Sequence, residues 1–109
     1  MASTFASNFV VADAALKHER GEDTLTRWAQ SKTIASGSTM ENSFCPTCGT
    51  LMYRRSTKYP GASILRLGTL DDVSLMEGKM KPTVEQYVQN RVSWLKGADG
   101  VEQHMGAVY

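Results

Sequence analysis

Cys45 and Cys48 stand in the run Phe44-Cys45-Pro46-Thr47-Cys48-Gly49-Thr50, at the spacing by which a tight turn brings two sulfurs to one side, as each knuckle of a tetrahedral zinc site does. A closed structural site takes four ligands, and the chain has two cysteines. Three readings stay open. The thiols sit reduced in a turn with no metal, His18 or His104 joins them, or a second copy of the chain contributes its own pair. The same spacing serves thioredoxin-like dithiols, but those open a helix after a strand, and the residues after Cys48 read as strand.

Other side chains could carry acid/base or binding chemistry. Asp71 and Asp72 are adjacent carboxylates beside a turn, placed to act as general base or orienting group, or simply to be solvated or to cap a turn. His18 and His104 are single, distant histidines that could exchange a proton near neutral pH, or lie on the surface. Tyr53, Arg54 and Arg55 follow one another on a strand, where alternation sends the two arginines to opposite faces. At most one of them can then reach an interior anion such as a substrate carboxylate. Tyr53, beside them, is either core or an acid. Trp28 and Trp94 are most economically core residues, with pocket lining as the alternative. The candidate catalytic set is therefore Asp71, Asp72, Tyr53, Arg54 and His18, with Arg55 and Trp28 as candidate substrate-binding residues.

Short strands and turns must position these groups. Residues 5–11 are rich in aromatic and branched side chains and end at Asp13, as a strand would. Residues 16–20 lead into the turn Gly21-Glu22-Asp23, after which 24–28 alternate like a half-buried strand. Ser36-Gly37-Ser38 is a turn. Residues 39–44 and 50–55 flank the cysteine turn and predict a hairpin whose loop is the knuckle. Tyr59-Pro60-Gly61-Ala62 breaks the chain, and 63–67 resume an extended run. Near the end Val84, Tyr87, Val88, Val92 and Leu95 recur at helical spacing, although 83–88 read equally as a strand followed by a short helix at 90–95.

Composition sets outer bounds. A chain of 109 residues, 41% hydrophobic and 21% charged, is expected to form one domain near the lower end of comfortable core size. Twelve basic against eleven acidic residues, a net charge of +1, argue against an electrostatic nucleic-acid surface or a polybasic membrane contact. The opening Met-Ala-Ser-Thr-Phe-Ala-Ser-Asn-Phe has no charged n-region and no long apolar run, so neither a signal peptide nor a bilayer span is expected. A cytoplasmic location follows as an expectation, with the thiols reduced or metal-bound rather than in a disulfide.

The knuckle run, then Gly68-Thr69-Leu70-Asp71-Asp72, then residues 82–94 with Arg91-Val92-Ser93-Trp94, resemble in order and separation the C-terminal two thirds of the glutathione-dependent formaldehyde-activating (GFA) family, also called the centromere protein V group. The resemblance runs over about residues 5–103, and the tail Gly97-Ala98-Asp99-Gly100-Val101-Glu102-Gln103 is most similar to fungal members. It implies an Mss4-like fold, mainly β, of small and strongly bent antiparallel sheets, with a short C-terminal helix as an option. It also implies glutathione as a co-substrate and a structural zinc held by Cys45 and Cys48 together with an earlier Cys-x-Cys. A separate N-terminal Cys-x-Cys-x-x-Cys would hold the catalytic zinc. Both N-terminal motifs are missing from this sequence. A thiolate-held zinc acting as Lewis acid on a glutathione hemithioacetal cannot then be built in the usual manner. The missing strands should leave sheet edges and apolar surface uncovered, and self-association into a homodimer is the expected repair.

Three functions fit. The first is a small-molecule enzyme without the family's catalytic zinc, a lyase, isomerase or cyclase acting on a carbonyl or thiol-adduct substrate through side-chain acid/base groups. The second is a non-catalytic dimeric binding or structural module. The third is a glutathione-dependent carbon–sulfur lyase as in the parent family.

Overall fold

The computed structural model describes residues 3–108, and its ordered elements are mainly strands. They are β1 (Asn8–Ala12), β2 (Thr26–Gln30), β3 (Met40–Phe44), β4 (Leu51–Ser56), β5 (Ala62–Arg66), β6 (Val84–Glu85) and β7 (Glu102–Gln103), with one short helix, α1 (Val73–Glu77). The chain is thus mainly β, as the alternating runs and turn residues require. It divides into two compact units: Asn8–Thr69, and the chain from Leu70 onward together with the segment before Asn8.

The first unit is an antiparallel sheet in the order β1-β5-β4-β3-β2. Its centre is the expected hairpin. Cys45 N donates to Thr50 O at 2.9 Å and Gly49 N donates to Cys45 O at 2.8 Å, closing the cysteine loop between β3 and β4. Gly49 sits at φ +77°, a left-handed conformation that a side chain would strain. The β3–β4 register slips once: Ser43 faces Tyr53 but Phe44 faces Leu51, so Met52 is the extra residue of a β-bulge.

Two strand ends differ from expectation, each for a local reason. β1 begins at Asn8 rather than at residue 5 because its partner ends there: Asn8 pairs with Arg66, and β5 gives way to a 3-10 turn at Leu67–Thr69. β2 begins at Thr26 rather than at residue 24 because the Thr24 hydroxyl donates to Gly21 O at 2.7 Å. With the backbone bonds from Thr24 N to Gly21 O at 3.1 Å and from Leu25 N to Glu22 O at 3.4 Å, it holds Glu22–Thr24 in a 3-10 turn, competition of the side chain with the ladder that is common for threonine.

The apolar core is small. Among the described residues the fully buried apolar side chains are Tyr53 and Leu67, accompanied by the polar Ser43, Ser56 and Ser63. Trp28 and Trp94, expected in the core, are 58% and 73% exposed. Trp28 lies on β2, an edge strand whose burial pattern is almost wholly exposed. Trp94 lies in an irregular stretch that offers no strand or helix face to bury it.

In the second unit, β6 and β7 form a parallel pair. The helix that apolar spacing allowed over residues 84–95 is absent. The strand reading holds at Val84–Glu85, but a 3-10 turn at Val88–Asn90 replaces the helix expected at 90–95. The reason is visible in the backbone: Tyr87 adopts φ +56°, which no right-handed helix can contain. Its N–H goes to Gly106 O at 3.0 Å and that of Val88 to His104 O at 3.1 Å, so these two donors serve the later segment, and within the stretch only single-turn bonds such as Asn90 N to Tyr87 O at 2.9 Å form. Glu85 ties the unit together through Arg91 and through Ala98 N. No helix among the described residues is long and apolar enough to cross a membrane.

Candidate acid/base site on the five-stranded sheet

Residues i and i+2 of a strand share a face, and the register aligns one face of the first unit into a row running Arg27, Ser43, Tyr53, Leu65 across β2, β3, β4 and β5. Tyr53 is its centre. The phenol oxygen lies 3.1 Å from His18 Nε2, and the two rings meet edge-on with centroids 5.6 Å apart. Arg27 Nη2 donates to the same oxygen at 3.3 Å, reaching past the small Ser43. On the far side of the imidazole, His18 Nδ1 is 3.6 Å from Glu22 Oε2. A carboxylate there favours the proton on Nδ1 and leaves Nε2 free to accept from the phenol.

A second layer holds the ring from beneath. The Arg55 guanidinium stands 4.9 Å from the Tyr53 ring centroid. It is fixed there because Arg55 Nε donates to Ser63 Oγ at 2.9 Å, and the buried Ser63 hydroxyl in turn donates to Asp13 Oδ1 at 2.5 Å. Asp13 also lies 3.6 Å from Arg55 Nε as its counter-charge. Arg27 has Glu41 at 3.7 Å for the same purpose. The hydrogen bond and charge of Tyr53, and then Glu41 and Glu22, raise the Arg27 pKa above its ordinary value.

The phenol and imidazole line a cleft of about 190 Å³ with Leu16, Leu25, Met52 and Leu65 as apolar wall and Arg20 and Glu22 at its rim. Successive strand residues ordinarily point to opposite faces. Met52 and Tyr53 both line this cleft because the β-bulge inserts Met52 beside Tyr53, a common use of bulges near sites. A shallower bowl outside it is lined by His18, Arg20, Glu22, Asp23 and Arg27.

The sequence candidates separate in the structure. His18, Tyr53 and Arg55 come together. Arg54 faces the opposite side of the sheet, where its Nε donates to Asn42 Oδ1 at 2.8 Å, so alternation divides the two arginines as expected. Trp28 shares that opposite side through its pairing with Asn42. Asp71 and Asp72 belong to the other unit and are exposed. Asp72 caps α1, its Oδ1 accepting from Ser74 N at 3.0 Å and Ser74 Oγ at 2.5 Å. Arg27, Glu22, Asp13 and Ser63 were missed, since nothing local in the sequence shows which strands lie side by side.

Cys45 is half-buried and Cys48 exposed. Cys48 Sγ is 3.1 Å from Thr50 Oγ1; this hydrogen bond first, with the Thr50 backbone and the Cys45 thiol, lowers the Cys48 pKa below that of a free thiol. Among the described residues no group of three or more His, Cys, Asp and Glu side chains is arranged to hold a metal ion. The imidazole of His18 is engaged by Tyr53 and Glu22, and that of His104 lies 2.5 Å from Glu102 Oε1. The donors among the described residues of a single chain therefore do not fit a closed zinc site.

The chain is a mainly β protein whose small antiparallel sheet carries a Tyr–His pair in a cleft. The family model described as glutathione-dependent formaldehyde-activating enzyme matches residues 1–90, and the chain belongs to that family. No curated protein and no solved structure matches it.

Proposed function

We propose that the protein is a small-molecule enzyme that moves a proton on a carbonyl compound or on its thiol adduct, glutathione adducts included, in a lyase-, isomerase- or cyclase-type reaction. The observation that carries this reading is the 3.1 Å contact between His18 Nε2 and the Tyr53 hydroxyl in the wall of the cleft. Family membership supports the carbonyl and thiol-adduct substrate class. The rest of the network supports the division of labour. His18 takes the phenol proton, and Arg27 and Arg55 stabilise the phenolate. The phenolate then removes a proton next to the carbonyl, and the imidazolium returns its proton to the substrate oxygen, so that proton number balances over the cycle. Arg20 and Arg27, which both line the shallower bowl outside the cleft, suit a substrate carboxylate. Side chains do this work in place of the family's catalytic zinc, for which these residues supply no donor set. The fold we assign is the Mss4-like type of the family. The unpaired outer edge of β2, bearing the exposed Trp28, supports assembly into a homodimer.

Deuterium exchange tests the reading. Small 2-oxoaldehydes and hydroxyaldehydes, with and without glutathione, are incubated with the protein in D2O and followed by proton NMR. The protein should catalyse exchange at the carbon next to the carbonyl, and Tyr53→Phe and His18→Gln should each reduce it by about 100-fold or more. Exchange no faster than in protein-free controls across the panel, or equal rates in the variants, would overturn it.

A further inference from the structure

The sheet of the first unit carries four arginines, and its two faces treat them differently. On the Tyr53 face, Arg27 and Arg55 each have a carboxylate, Glu41 and Asp13. On the other face Arg54 and Arg66 have only amides: Arg54 Nε donates to Asn42 Oδ1 at 2.8 Å, and Arg66 Nη1 donates to Asn8 Oδ1 at 2.9 Å. No ion pair among the described residues involves either one. An amide oxygen orients a guanidinium without neutralising it.

The register makes these two cations neighbours. Arg54 pairs directly with Ile64 on β5, and Arg66 follows two residues later on the same face, at the diagonal distance that long side chains span. Both are half-buried. Burial lowers the pKa of each, and the charge of Arg66 lowers that of Arg54 further. Their neighbours Asn42 and Ile64 are half-buried too, and the face opens toward the outer strands, where Val10 is 54% and Trp28 58% exposed. Two like charges, partly desolvated, held in place by dedicated amides and left without an acid, lower the free energy of the chain when an anion arrives. A second copy of the chain laid on this face would add more positive charge where it is least tolerated.

The geometry points to a binding site for a small dianionic oxyanion, a phosphomonoester or a dicarboxylate, gripped between Arg54 and Arg66 on the face opposite the Tyr53 cleft. One guanidinium takes each pair of oxygens, and Asn42 and Asn8 keep the free N–H edges aimed outward. This site is independent of the acid/base reading, because none of its residues lines the cleft.

Isothermal titration with inorganic phosphate and, in a separate arm, with malonate, both against chloride at matched ionic strength, tests the site. Phosphate or malonate should bind with 1:1 stoichiometry and raise the melting temperature by several degrees when saturating. Arg54→Gln and Arg66→Gln should each weaken binding at least about tenfold. Tighter binding of phosphate assigns a phosphomonoester and tighter binding of malonate a dicarboxylate. No binding beyond chloride, or binding unchanged in both variants, would overturn the proposal. Asn42→Ala and Asn8→Ala supply the same test by freeing the guanidinium groups should an arginine variant fold poorly.

Discussion

The guanidinium of Arg55 lies 4.9 Å from the centroid of the Tyr53 ring, two residues earlier on the same strand, and a serine holds it there. Ser63 is wholly buried, receiving a hydrogen bond from Arg55 Nε at 2.9 Å and giving one to Asp13 at 2.5 Å. Its hydroxyl is thus the joint between a cation and its counter-charge. Ser63→Ala should destabilise the protein by about 1–3 kcal/mol, because it strips partners from two charged groups at once. Urea unfolding checks this, and a midpoint unchanged from the parent would show that water replaces the hydroxyl without loss.

Tyr53→Phe keeps the buried ring but removes the oxygen shared by His18 and Arg27. A stability loss of about 1 kcal/mol is expected, far below the roughly 3–5 kcal/mol of emptying an aromatic site with Tyr53→Ala. Thermal melts of the two variants side by side separate the hydrogen bonds from the packing. Equal losses would mean that the oxygen, not the ring, supports the sheet.

Ser43 is 1% exposed and its hydroxyl has no hydrogen-bond partner. It lies between Arg27 and Tyr53 in the cross-strand row, where only a small side chain lets the guanidinium reach over. Ser43→Ala should therefore be neutral or slightly stabilising, since it deletes an unsatisfied buried group. Ser43→Val should cost about 1–3 kcal/mol by overpacking and should also disturb the Arg27–Tyr53 contact. Denaturant curves for both variants check this, and a marked loss in the alanine variant would reveal a hidden partner for the hydroxyl.

With two thiols per chain, zinc content should not exceed half an ion per chain, as a closed site needs four donors. Zinc at that level would join Cys45 and Cys48 to the same pair of a second copy, so Cys45→Ser should abolish the metal and weaken the dimer together. Elemental analysis paired with light scattering is the check. One firmly held ion in a monomer would refute it.

Cys48 should react with iodoacetamide ahead of Cys45, because it is exposed and its thiolate is favoured by Thr50. The sign follows from a lowered pKa: alkylation, which needs the thiolate, should rise through a midpoint below that of a free thiol. Thr50→Val should move that midpoint upward. Identical pH profiles for the parent and the valine variant would remove Thr50 as the cause.

The sequence by itself determined what short-range physics controls. Alternation fixed the mainly β character and the opposite faces of Arg54 and Arg55. The Gly49 turn after Cys48 fixed the hairpin loop, and the ordered motifs fixed the family. It failed where partners decide. Apolar spacing at Val84, Tyr87, Val88, Val92 and Leu95 is equally compatible with a helix, and only the backbone bonds from Tyr87 and Val88 to Gly106 and His104 ruled it out. Trp28 looked like core until edge placement left it in solvent. The candidate site shows the same division. Its residue types are legible one at a time, but His18 and Tyr53 lie thirty-five positions apart and Asp13 and Ser63 fifty, so their meeting depends on strand order and register. Those are set by long-range pairing and by a single β-bulge, and neither leaves a periodic mark in the chain.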